Sequence, residues 1–214
     1  MTTMPDDPAH PAETRWPALL AIVTAGLLYA ALPHYLAFGP RWLLVLLVSV
    51  IEFPAIISHY RGYRLVNKTL GFLASATITA FLLWSVALLV TSLPAHKEQP
   101  IDLLKSAATL WISNILVFAL WYWRLDAGGP LDRDIRPSHT EGAFLFPQMT
   151  WDPTKDTWSP RFMDYLFLSF NTSTALSPTD VPILSRWAKA LVMLQALISM
   201  TTIVLLAARA VNIL

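Results

Sequence analysis

The 214-residue sequence contains no cysteine, which excludes disulfides, thiolate metal sites and a cysteine nucleophile. Charge is also scarce. Asp, Glu, Lys and Arg make up 14% of the chain, where a soluble domain carries about a quarter. A net charge of +1 leaves no basic stripe to neutralise phosphates, so no nucleic-acid partner is expected. Glycine occurs seven times and never after Gly142. No nucleophile elbow, glycine-rich phosphate loop or H-E-x-x-H sequence is present. His10, His34, His59, His96 and His139 stand one per loop or tail without ligand spacing. The expectation is therefore no enzyme, no metal and no cofactor.

Apolar residues, by contrast, make up 55% of the chain, and mean hydropathy is +0.51. A helix needs roughly 20 mostly apolar residues to cross the hydrocarbon, since each residue rises only about 1.5 Å. Five segments approach this: 16–32, 42–57, 70–93, 107–123 and 187–208. The second is short and carries Glu52 and Pro54. Trp16, Trp42, Trp111, Trp121, Trp123 and Trp187 stand at or near segment ends, where an indole suits the bilayer interface. The predicted fold class is an all-α transmembrane bundle of about five spanning helices, with a re-entrant hairpin before the last. Residues 1–15 read as a disordered acidic tail, not a signal peptide, because Asp6, Asp7 and Glu13 face only Arg15. Residues 16–124 form a four-helix region, 125–159 an extramembrane loop, and 160–214 the hairpin and last helix.

The loop carries Asp126, Asp132 and Asp134, read as solvated charge. Ser159 then resembles a helix cap with Pro160 at the first position. The run 162–176 is apolar enough to enter a membrane, yet too short and too rich in Asn, Ser and Thr to cross it. Pro178 and Pro182 forbid continuation of that helix. Irregular backbone at membrane depth is tolerated only where protein shields it or it lines a wet cavity.

This last stretch resembles the pore module of the potassium-channel superfamily: pore helix, filter loop, inner helix. The resemblance covers about the last quarter of the chain, within the size of one such module. It places 168–174 at the end of the pore helix, Ala175, Leu176, Ser177, Pro178 and Thr179 on the five filter positions, and Asp180 on the aspartate that follows. The stretch from Asp164-Tyr165-Leu166-Phe167 to Val211-Asn212-Ile213 is also similar to a family of uncharacterised bacterial membrane proteins with no established activity. The filter chemistry itself is missing. Stacked carbonyls need glycines with positive φ, whereas Pro178 is locked near −65° and no glycine is at hand.

Two readings of the hairpin stay open. It could be a wider constriction lined by Asn171, Thr172, Thr174, Ser177, Thr179 and a ring of Asp180, surrounded by several identical subunits. The partners implied are the lipid bilayer, monovalent cations and three further copies of the chain, as in a tetramer. It could instead be a packed plug whose hydroxyls satisfy one another, as Ser and Thr commonly do between membrane helices. Glu52 is the acid inside a predicted span: either a proton or ion pathway, or a structural pair with His59 or Arg61. Asn114 and Gln195 are expected to hydrogen-bond between helices, and Arg209 and Asn212 to lie at an interface. With the amino terminus in the cytoplasm, eleven Lys and Arg fall inside and four outside, the sense favoured in the cytoplasmic membrane.

Overall fold

In the computed structural model, the described residues are 13–92, 100–135, 142–150, 158–175 and 180–211. The chain is an all-α bundle. Its helices are α1 (Trp16–Ala30), α2 (Leu43–Tyr60), α3 (Arg64–Ser92), α4 (Pro100–Leu125), α5 (Pro130–Asp134), α6 (Phe162–Ala175) and α7 (Arg186–Val211). Four of them, α2, α3, α4 and α7, are long and apolar enough to cross a membrane. The fifth expected span, α1, is apolar but only 15 residues long, or about 22 Å at 1.5 Å per residue. Buried Leu32 and Leu36, in the turns after it, carry its apolar face further.

Several boundaries moved outward from the apolar runs. The helix α3 begins at Arg64, well before the uncharged stretch at Leu70, because helical backbone continues readily through a polar first turn outside the hydrocarbon. The second helix tolerates Pro54 and runs on to Tyr60. It stops at Gly62, whose φ of 74° reverses the chain. Asn67 Nδ2 then donates to Ala55 O at 2.8 Å and clasps α2 to α3.

The most buried of the four long helices is α4, and it touches α1, α3, α6 and α7. At its end, Ala127, Gly128 and Gly129 all have positive φ, turning the chain abruptly into α5. Gly129 is required there, because a Cβ would stand 2.8 Å from the Arg124 carbonyl oxygen. The segment predicted as an extramembrane loop folds back over this end of the bundle, and its Phe144 and Phe146 are buried. A short antiparallel pairing closes it: Leu145 N donates to Pro182 O at 2.9 Å and Leu184 N to Ala143 O at 2.8 Å.

These contacts fix the path of the hairpin. Phe162, the first residue of α6, packs on Trp123 near the end of α4. Deeper along α4, Ser169 bonds Ile115, and Phe170 meets Trp111. By Ile183 the chain is back beside Phe144, at the end where α6 began. Trp187 in the first turn of α7 also packs on Phe144. The helix α6 therefore enters the bundle from this end, residues 181–185 lie back at the same end, and α7 then runs antiparallel to α4.

Candidate functional site

The inner face of the hairpin is a buried polar seam shared by α4, α6 and α7. Helical spacing puts Tyr165, Ser169, Thr172 and Ser173 on one face of α6, and all four are buried. Gln195 of α7 stands at the centre. Its Oε1 accepts the Tyr122 hydroxyl at 2.5 Å. Its Nε2 donates to Ser169 O at 2.7 Å and to Ser173 Oγ at 2.8 Å. Its carbonyl accepts Asn114 Nδ2 at 3.2 Å. One turn deeper, Ser199 Oγ donates to Ser173 O at 2.7 Å and accepts Trp111 Nε1 at 3.0 Å. The expected interhelical roles of Asn114 and Gln195 are both present. The seam's serines had a readable signal: Ser169 and Ser173 lie four apart, as do Gln195 and Ser199.

The filter-like residues divide between two faces. Thr172 is buried and its Oγ1 donates back to Leu168 O at 2.9 Å. Thr174 lies on the opposite face, exposed, with Oγ1 donating to Phe170 O at 3.0 Å. Asn171 is half-buried, Ala175 ends α6 exposed, and Asp180 is exposed on the return. Leu176, Ser177, Pro178 and Thr179 lie outside the described residues, as do 1–12 of the tail, His96, His139 and Asn212.

The mouth of the hairpin is held by acids from distant parts of the chain. Asp126 is fully buried, a correction to its reading as solvated loop charge. Ala143 N donates to its Oδ1 at 2.5 Å and the Tyr165 hydroxyl to its Oδ2 at 2.6 Å. The turn at 127–129 is what aims that carboxylate inward. Asp134 pairs with Arg15 and is part-buried, whereas Asp132 meets Lys68 at 3.3 Å in an exposed pair, as solvated loop charge does. Burial pulls the Arg15 guanidinium below its ordinary value, with Asp134 and then Glu13 opposing that shift. The cap of α6 is corrected as well. Ser159 does not start the helix; Asp164 Oδ2 accepts Arg161 N at 2.8 Å and Glu13 Oε1 accepts Phe162 N at 2.6 Å. Glu13 also accepts Trp123 Nε1 at 3.0 Å. That indole is buried against protein, while Trp16 and Trp42 are exposed.

Glu52 pairs with neither His59 nor Arg61. Arg124 Nη2 of α4 donates to its Oε1 at 3.3 Å. The guanidinium reaches α2 by lying over Gly71 of α3, where any side chain would collide with it. Among the described residues no group of three His, Cys, Asp or Glu is placed to hold a metal ion.

No protein-family model, curated protein or solved structure matches the chain. The arrangement is that of a membrane helical bundle in which a short helix enters and leaves at one end.

Proposed function

We propose that the chain is a subunit of a homo-oligomeric, pore-type membrane protein, with the α6–α7 hairpin as its polar element at membrane depth. The observation that carries this reading is that α6 enters at one end and residues 181–185 lie back at that end, with Thr174 and Ala175 at the deep tip of α6 exposed. Peptide groups at such a tip need shielding by protein or water, and neighbouring copies around an axis supply both. The likeness to a pore helix, filter loop and inner helix points the same way. Pro178 and the lack of glycine exclude a potassium-type carbonyl filter. Selectivity would come from side chains, with Asp180 at the entrance drawing monovalent cations.

The charge asymmetry supports an orientation in a cell membrane with this end, and the amino terminus, on the cytoplasmic side. Nine of the basic residues on the richer side, from Arg15 to Lys189, lie among the described residues.

The test is recording from purified protein in planar bilayers, alongside its oligomeric state in native lipid. A cation current that Asp180→Asn reduces, from a tetramer, supports the reading. A monomer with no ion-dependent current at any potential or pH overturns it. That result would favour a non-conducting scaffold or accessory subunit, a second reading supported by the seam around Gln195, whose bonds are made within one subunit.

A further inference from the structure

A cavity of about 400 Å³ opens between α1, α2 and α4, at the end of the bundle where the hairpin enters. Its walls are of two kinds. Ala18, Ile22 and Ile56 make an apolar side, and Arg15, Arg124 and Glu52 a charged one. The volume falls in the range of small-ligand sites, which combine an apolar lining with a few placed polar groups. Exposed Trp16 and Tyr60 stand at its rim, the side chains favoured where a membrane meets water.

The charged side is incompletely used. Arg15 spends Nη2 on Asp134, and Arg124 spends Nη2 on Glu52. Nη1 of each has no acceptor among the described residues. Both guanidinium groups lie over the same indole, 5.6 and 5.5 Å from the Trp123 ring centre, and both line the cavity. Glu52 accepts through Oε1, and its Oε2 has no donor among the described residues. Arg15 Nη1 and Glu52 Oε2 thus stand unpaired among the described residues beside an apolar groove, with the Arg124 guanidinium lining the same cavity while its Nη1 lies against Gly71.

Charge balance narrows the class of ligand. Around the cavity the pairs are Arg15 with Asp134, Arg124 with Glu52, and Arg133 with Glu13. Three cations meet three anions. A purely anionic head would leave a charge uncompensated in surroundings of low dielectric, which is costly. A head that adds an ammonium to the phosphate lowers that cost.

We infer that this cavity binds an amphiphile whose head joins a phosphate to a primary ammonium. The phosphate meets the Arg15 guanidinium through its unpaired Nη1, beside that of Arg124, groups whose planar donors suit its geometry. The ammonium donates to Glu52 Oε2, and the chain lies along Ile22 and Ile56. The chemistry is that of a phosphatidylethanolamine headgroup or of soluble phosphoethanolamine. It is independent of whether the hairpin conducts.

Native mass spectrometry of the purified full chain tests this, with dioctanoyl phosphatidylethanolamine, phosphatidylcholine, phosphatidylglycerol and O-phosphoethanolamine as separate probes. One phosphatidylethanolamine per chain is expected to be retained, more tightly than the other two lipids. Arg124→Gln should weaken it at least tenfold. Glu52→Gln should abolish the preference over phosphatidylcholine, whose quaternary nitrogen has no hydrogen to donate. Ile56→Trp fills the groove while keeping both members of the ion pair, and should also weaken binding, which keeps the test decisive if Arg124→Gln fails to fold. Binding of O-phosphoethanolamine with the same sensitivities identifies a soluble ligand; binding only of the lipid identifies the membrane as source. Equal retention of all three lipids without O-phosphoethanolamine binding, or retention unaffected by Arg124→Gln and Ile56→Trp, overturns the inference.

Discussion

The Tyr122 hydroxyl of α4 donates to Gln195 Oε1 of α7 at 2.5 Å, and both residues are fully buried. That bond joins the central helix to the helix following the hairpin. The same amide holds α6 through Ser169 and Ser173. One side chain therefore ties three helices, and each group it satisfies would otherwise be a polar atom without water. Gln195→Leu keeps the volume but orphans the Tyr122 hydroxyl. An unsatisfied buried group costs about 1–3 kcal/mol, and membrane interhelical bonds average about 0.6 kcal/mol. The expected loss is about 2–4 kcal/mol, read as a fall in the midpoint of thermal or denaturant unfolding in detergent. A midpoint unchanged from the parent chain would remove the seam from any account of stability.

The carboxylate of Asp126 couples the turn after α4 to the first part of α6. Asp126→Asn removes the charge at one end of a 2.6 Å bond and Tyr165→Phe the donor at the other, so their effects should not add. A double-mutant cycle is expected to give a coupling of about 1–3 kcal/mol, as buried charged hydrogen bonds do. Strict additivity would mean the two groups do not interact in the folded chain.

Glu13 caps α6 from 149 residues away. Glu13→Ala should free Phe162 N–H and leave the buried Arg133 without its ion-pair partner, lowering stability by about 3–5 kcal/mol, the usual cost of breaking a buried pair. The signature is local: faster hydrogen exchange in the first turn of α6, with α3 unaffected. Uniform loss of protection across all helices would instead indicate a general structural defect.

The helices were legible because bilayer-length apolar runs need little else to declare themselves, and Pro178 with Pro182 marked where α6 could not continue. Helix ends were less so, since Arg64 and Pro100 begin helices in polar sequence that hydropathy passes over. What sequence missed was pairing across distance. Glu52 was matched with His59 and Arg61, its neighbours in the chain, while its partner Arg124 sits 72 residues on and reaches it over Gly71. Asp126 looked solvated because nothing local announces that Ala127 to Gly129 turn the chain and bury it. The seam was half visible: Gln195 and Asn114 stood out as polar residues in apolar helices, but which hydroxyls they met depended on the hairpin returning.

Gly129 and Gly62 offer a contrast in what a glycine contributes. Both have positive φ, 101° and 74°. A Cβ at Gly62 meets nothing within 4 Å, while one at Gly129 collides with the Arg124 carbonyl. Gly62→Ala should cost about 1 kcal/mol from backbone conformation alone. Gly129→Ala should cost distinctly more, about 2–3 kcal/mol, because the turn must also open. Opening it would loosen Asp126, so Gly129→Ala is expected to reproduce part of the Asp126→Asn effect in the same unfolding assay. Equal costs at the two positions would show that the contact at Gly129 relaxes freely.

The native chain has no thiol, so single cysteines report accessibility without background. Asp132→Cys and Arg186→Cys lie at the end where α4 finishes and α7 starts; His34→Cys follows α1 at the other. An impermeant thiol reagent should label the first two from one side of the membrane and the third from the opposite side. Shared sidedness of all three would break the alternation of α1, α2, α3 and α4. Thr174→Cys then divides the two readings of the hairpin. Its side chain is exposed near the deep end of α6, on the face opposite Gln195. If neighbouring copies enclose a wet pathway there, small hydrophilic reagents reach it from the Asp132 side. Permeant cations at high concentration then slow the reaction. If the hairpin is a dry plug, Thr174→Cys stays unmodified while Asp132→Cys reacts fully. Water reaches a cysteine at that depth only through an open path, so the labelling rate reads the path directly.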